Sequence, residues 1–227
     1  MGIKISTLTG RAKYFVAAAA LVATSAPFGV LLPTAVYADE PECVGAHDTT
    51  ELKNLLNAGG DVKLCANITG GVNVGYHVDG TVNATLDLNG YTLTAGDGGQ
   101  ALIISKNAVV TLTGEGSVYD SNKTLITVNG SLTINSGEYR GLINVVGGSL
   151  TVNDGDFTAN GPIFGLGNKE MDTDSIVIND GSFSGVYIAN KAYSGGGVNS
   201  TFTINDGNFR NVETGITKND SLKDITR

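Results

Sequence analysis

Short segments with alternating apolar and polar positions recur along the chain from about residue 61. The clearest are LTINSGEYR (132–140), LTVNDGDFT (150–158), IVINDGSFS (176–184) and FTINDGNFR (202–210). Each begins with two apolar residues around one that points the other way: Leu132 and Ile134, Leu150 and Val152, Ile176 and Ile178, Phe202 and Ile204. A period of two with β-branched residues predicts a strand with that pair facing inward. Asn135, Asn153, Asn179 and Asn205 follow, then Ser or Asp, then Gly137, Gly155, Gly181 and Gly207. That is turn chemistry, because Asn and Gly accept positive φ. Two residues past each glycine stands an aromatic: Tyr139, Phe157, Phe183 or Phe209. The pattern reads as strand, turn, strand.

Those glycines are spaced 18, 26 and 26 residues apart, and each unit carries a further apolar piece such as LINVV (142–146), PIFGL (162–166) or VYIA (186–189). Weaker relatives lie upstream: LDLNGYTLT (86–94), VTLTGEGSV (110–118) and ITVNGSLTI (126–134). Self-similarity at this period marks a stacked architecture. The expectation is an all-β parallel solenoid over residues 61–227, with one unit per coil. At roughly 4.8 Å between stacked strands, about seven coils make a rod near 34 Å long. Stacking would align the aromatics in one column and the asparagines in a ladder of side-chain amides. A meander of hairpins is the alternative, since Asn-Gly and Asp-Gly also favour type I′ turns. The return of the Asn-x-Gly element once per unit favours the coil.

Ahead of the repeats, Asp48 can cap a short helix and Glu51 can complete a capping box. Leu52, Leu55 and Leu56 fall on one face, and Gly59 stands where a helix stops. A helix this short needs a surface to lie on. Residues 39–60 therefore read as a cap over the open end of the stack, which would otherwise expose core and unpaired edges. Cys43 and Cys65 predict a disulfide stapling the cap to the first strand.

Residues 1–38 have the layout of a secretory signal peptide: basic Lys4, Arg11 and Lys13, an apolar stretch from Tyr14 to Leu32, and small residues Val36 and Ala38 at a cleavage site. An uncleaved anchor is the alternative, because the apolar run approaches spanning length. Pro27, Pro33 and the small-residue site favour cleavage. The chain is then secreted or held at the cell surface, with no later span and with disulfide-permissive surroundings.

The net charge is −8; without the first 38 residues, 11 cations face 22 acids and it becomes −11. Such a surface repels phosphate backbones, which argues against nucleic-acid partners. The 32 glycines lack a collagen period and fit many tight turns.

Through LDLNGYTLT and the LTINSG, LTVNDG and FTINDG series, residues 61–227 resemble right-handed parallel β-helix, or pectate-lyase-like, proteins. Among these they are similar to the repeats of bacterial surface proteins of the adhesin type. The resemblance implies a module that binds glycans or surface proteins through an extended face, or a structural spacer. Polysaccharide lyases and glycoside hydrolases on this fold are the enzymatic alternative. Such lyases use calcium-binding acids with an Arg or Lys base, and the hydrolases use paired aspartates with His and Arg or Lys. Residues 39–227 contain no Asp-Asp, Gly-His-Gly or Arg-x-Lys, and Arg140 and Arg210 stand alone as rim charges. No catalytic or cofactor-binding residue is assigned.

Asp154, Asp180 and Asp206 share one repeat position and are weak Ca²⁺ candidates; Asn-Asp-Gly turn geometry is the much stronger explanation of them. Outward hydroxyls at Thr92, Thr94, Thr111, Thr113, Ser131, Thr133, Ser149, Thr151, Thr201 and Thr203 offer ice binding as a minor alternative, interrupted at Ser175–Val177. The last residues, SLKDITR, read as part of a further coil, as in a piece of a longer protein. An open last coil predicts self-association.

Overall fold

The computed structural model describes residues 42–97, 99–167, 174–191, 200–210, 214–217 and 224–226. The signal segment and its cleavage site lie outside the described residues. Over the described residues the chain is an all-β parallel solenoid with one short helix.

Three strand-bearing faces succeed one another around each coil. The first face is an eight-stranded parallel sheet: Gly60–Lys63, Val82–Asp87, Ala108–Thr113, Ser131–Ile134, Ser149–Val152, Ser175–Ile178, Thr201–Ile204 and Asp224–Thr226. The second and third faces form one twelve-stranded sheet, because Ser117–Val128 and Glu138–Val145 run through the corner between them. Against the expected seven or so coils, five turns are described almost without a break, those opened by the first five strands of the first face. The later rungs are described mainly in their strands. SLKDITR does contribute a further rung: Asp224–Thr226 pairs in parallel with Thr201–Thr203.

Register follows the inward positions. Leu132, Leu150, Ile176 and Phe202 superpose, as do Ile134, Val152, Ile178 and Ile204. A slip of one residue would turn every such pair outward, so burial fixes the stacking. On the second face, Tyr139, Phe157, Phe183 and Phe209 form the expected column, with ring centroids 5.0, 5.0 and 4.8 Å apart and planes within 14°. The Tyr139 hydroxyl donates to Ser136 O at 2.8 Å, and burial holds its phenol well above the usual tyrosine range. Phe164 from the third face tilts against Phe157 and Phe183 at 5.8 and 6.0 Å. The core is thus aliphatic at the capped end and aromatic further along.

The turns explain the repeated polar residues. Asn153 Nδ2 donates to Asn135 Oδ1 at 2.8 Å, Asn179 to Asn153 at 2.7 Å, and Asn205 to Asn179 at 2.7 Å. At Gly155, φ is 137°, and an added Cβ would meet Gly137 O and the Phe157 ring at 3.1 Å. Only glycine lets the corner sit this close to the aromatic column. Asn179→Ala removes a donor to one neighbour and an acceptor from another, so it should cost about 1–2 kcal/mol in a urea melt; no change would remove the ladder from the stability account.

ITVNGSLTI belongs to a different corner from its apparent relatives. Ile126–Val128 lies on the third face, and Asn129–Gly130 turns it into the first. The hydroxyls also divide. Thr85, Thr111, Thr133, Thr151 and Thr203 form one first-face column broken at Val177, whereas Thr92 and Thr94 lie on the second face. Similar residue types recur at both places because each strand needs a polar outward residue.

The helix Thr49–Ala58 packs on Gly60–Lys63, Val72–Val74 and Val82–Asp87. Asp48 caps it, accepting from the Thr50 and Glu51 N–H groups at 2.8 and 2.9 Å. Glu51 does not return to the Asp48 N–H; it accepts from the His47 N–H, also at 2.8 Å. Leu52 and Leu56 are fully buried, but Leu55 is 40% exposed. Thr49 Oγ1 donates to Thr69 O, and Asn57 Oδ1 accepts from the Gly75 N–H, so the helix is tied to the second and third faces of the first coil. Cys43 and Cys65 form a disulfide with Cα atoms 5.6 Å apart. Closing a loop of this length stabilises the chain by about 3 kcal/mol.

Candidate functional site

The units are not equal in length, and the inequality shapes the surface. Between the second and third faces, Tyr119 and Thr124 align with Arg140 and Leu142 of the next coil. Four residues thus connect the faces in one coil and Gly141 alone connects them in the next. Gly141 has φ 141°, which suits this single-residue corner. In the following coil Thr158 aligns with Arg140, and Ala159–Gly161 bulge out before Pro162 begins the third face. A short coil is therefore flanked by two protruding ones.

The result is a groove of about 680 Å³. Arg140, Gly141 and Leu142 form its floor; Tyr119, Asp120 and Thr124 line one wall, and Thr158, Asn160 and Pro162 the other. The volume suits a small ligand or a segment of a larger one. Tyr119 is 39% exposed and presents part of its ring to the groove. The Arg140 guanidinium lies 3.2 Å from Glu138 of the same strand, both side chains more than half exposed. Such a pair is worth under about 1 kcal/mol and yields readily to another acceptor. Asn160 is exposed, with no hydrogen bond to its amide among the described residues.

A smaller depression of about 180 Å³ adjoins this groove on the second face, sharing Thr158 and lined also by Asp156, Ser182, Ser184 and Arg210. Arg140, Thr158, Ser184 and Arg210 occupy one outward column. The two arginines read as isolated in the sequence are thus positioned on one face by register.

Asp154, Asp180 and Asp206 each accept from the N–H of the following glycine at 2.7, 2.7 and 2.8 Å. Among the described residues no three His, Cys, Asp or Glu side chains converge as metal ligands, and no described helix is long and apolar enough to cross a membrane.

Compared with protein-family models, curated proteins and solved structures, the chain matches none. What stands is the parallel β-solenoid itself.

Proposed function

We propose that this chain is a secreted or cell-surface binding module whose groove over the short coil holds a glycan. The observation that carries this reading is the half-exposed Tyr119 ring set opposite Asn160 across a floor that presents Arg140. An aromatic ring offers an apolar face to the C–H face of a sugar, while amide, carboxylate and guanidinium groups meet its hydroxyls. Paired strands hold Tyr119 and Arg140 in place, so little ordering of these two is required on binding. The Cys43–Cys65 disulfide is compatible with an oxidising, extracellular compartment.

A glycan array probed with residues 39–227 tests the reading. Binding is expected, and Tyr119→Ala should weaken it roughly tenfold or more with an unchanged melting curve. Equal binding by the variant, or an array with no positives, would favour a spacer. A second reading, a polysaccharide-cleaving enzyme, is favoured by Asp120 and Arg140 lining one groove. Product release from polyuronides would support it.

A further inference from the structure

The sequence contains three Asn-Gly steps, Asn89–Gly90, Asn129–Gly130 and Asn160–Gly161. Such steps undergo intramolecular deamidation wherever the glycine nitrogen is free to reach the asparagine side chain, because glycine offers no Cβ to hinder the approach. The structure treats the three very differently.

Asn89 Nδ2 donates to Leu64 O at 2.9 Å, and the Gly90 N–H donates to Glu115 O. Asn129 Nδ2 faces Ile104 O at 3.4 Å, and the Gly130 N–H donates to the same oxygen at 3.1 Å. Gly130 is also buried: a Cβ there would meet Ser105 O and Ala108 O at 2.2 and 2.3 Å. Both nucleophiles are held in place. At the third step the Asn160 amide and the Gly161 N–H have no hydrogen-bond partner among the described residues, and none of these lies within 4 Å of a Cβ built on Gly161. The Gly161 carbonyl is engaged, accepting from the Val186 N–H at 3.1 Å and from the Tyr187 N–H at 3.5 Å.

We propose that Asn160 is a spontaneous modification site whose conversion to a carboxylate recharges the binding groove. The Gly161 nitrogen attacks Asn160 Cγ, and an N–Cγ bond forms as the Cγ–Nδ2 bond breaks. The amide nitrogen leaves as ammonia with the proton from the Gly161 N–H, giving a succinimide. Water then opens the ring at either carbonyl, leaving aspartate or isoaspartate. No oxidant or cofactor takes part. The groove loses the two amide donors of Asn160 and gains an acceptor-only group on the wall opposite Asp120. Like other charge-changing modifications, it acts through the local field. The consequence for binding rests on the glycan reading above; the chemistry does not.

The test is incubation of the folded, disulfide-intact protein at mildly alkaline pH, followed by peptide mapping with fragmentation. The expected result is an amide-to-acid mass change at Asn160, with Asn89 and Asn129 intact, and change at all three in the unfolded, reduced chain. Gly161→Ala, which the open surroundings and ordinary φ accommodate, should slow the change many-fold at unaltered melting temperature. An intact Asn160, equal rates at all three sites, or an undiminished rate in Gly161→Ala would overturn the chemical assignment. Asn160→Asp should weaken the array-selected glycan several-fold. Unchanged affinity there, with deamidation observed, would overturn the recharging role alone.

Discussion

Phe157→Ala is expected to lower the unfolding free energy by about 3–5 kcal/mol. The ring is 2% exposed and lies between Tyr139 and Phe183, both at 5.0 Å, with Phe164 tilted against it at 5.8 Å. Truncation removes the buried area and leaves a void that neighbours are poorly able to fill. Their separation is set by backbone ladders of parallel strands, spaced near 4.8 Å, and Gly155 already brings backbone against the ring. The site therefore collapses less than a core formed by independently movable helices, which places the expected cost toward the upper end of the range. Phe209, only partly buried, should cost less when truncated. Urea melts monitored by circular dichroism measure both. A loss below about 1 kcal/mol for Phe157→Ala would mean that the column contributes little beyond surface coverage.

Where function was legible and where it was not follows from the range of each interaction. The strands, the Asn-x-Gly turns, the aromatic column and the capping helix are written locally: a period of two, a glycine that must take positive φ, an Asp before a run of leucines. Repetition then extends each local reading over the stack, since identical units superpose. The cap shows the limit of that logic. Leu55 shares a helical face with Leu52 and Leu56 in sequence, yet it stays 40% exposed while they are fully buried. Glu51 stands at the capping-box position but reaches His47, one residue beyond the cap.

The groove was the least legible feature because it belongs to no single unit. Its signal was present as the 18-residue spacing from Gly137 to Gly155 between longer units. A shorter unit, however, does not reveal which of three corners is shortened. Pairing of Arg140 with both Tyr119 and Thr158 locates the deficit at Gly141. Arg140 consequently changed from a lone rim charge to the floor of a site, and Tyr119 and Asn160, outside the repeated positions, became its walls. The repeated residues maintain the architecture, and the departures from repetition supply the surface that can recognise something.

That distinction gives the second large expected effect. Inserting a copy of Asp120–Lys123, the four-residue connection of the preceding coil, between Arg140 and Gly141 should raise the floor to the level of its walls. The insertion lies at a surface corner, where added length costs little stability. Its inward neighbours Tyr139 and Ile143 keep their strands and partners. The decisive measurement is calorimetric titration of the glycan selected on the array into the wild-type and lengthened proteins, with melting curves recorded for both. Loss of measurable binding at nearly unchanged melting temperature is the predicted result. Binding of equal affinity by the lengthened protein would contradict the claim that the short coil makes the site.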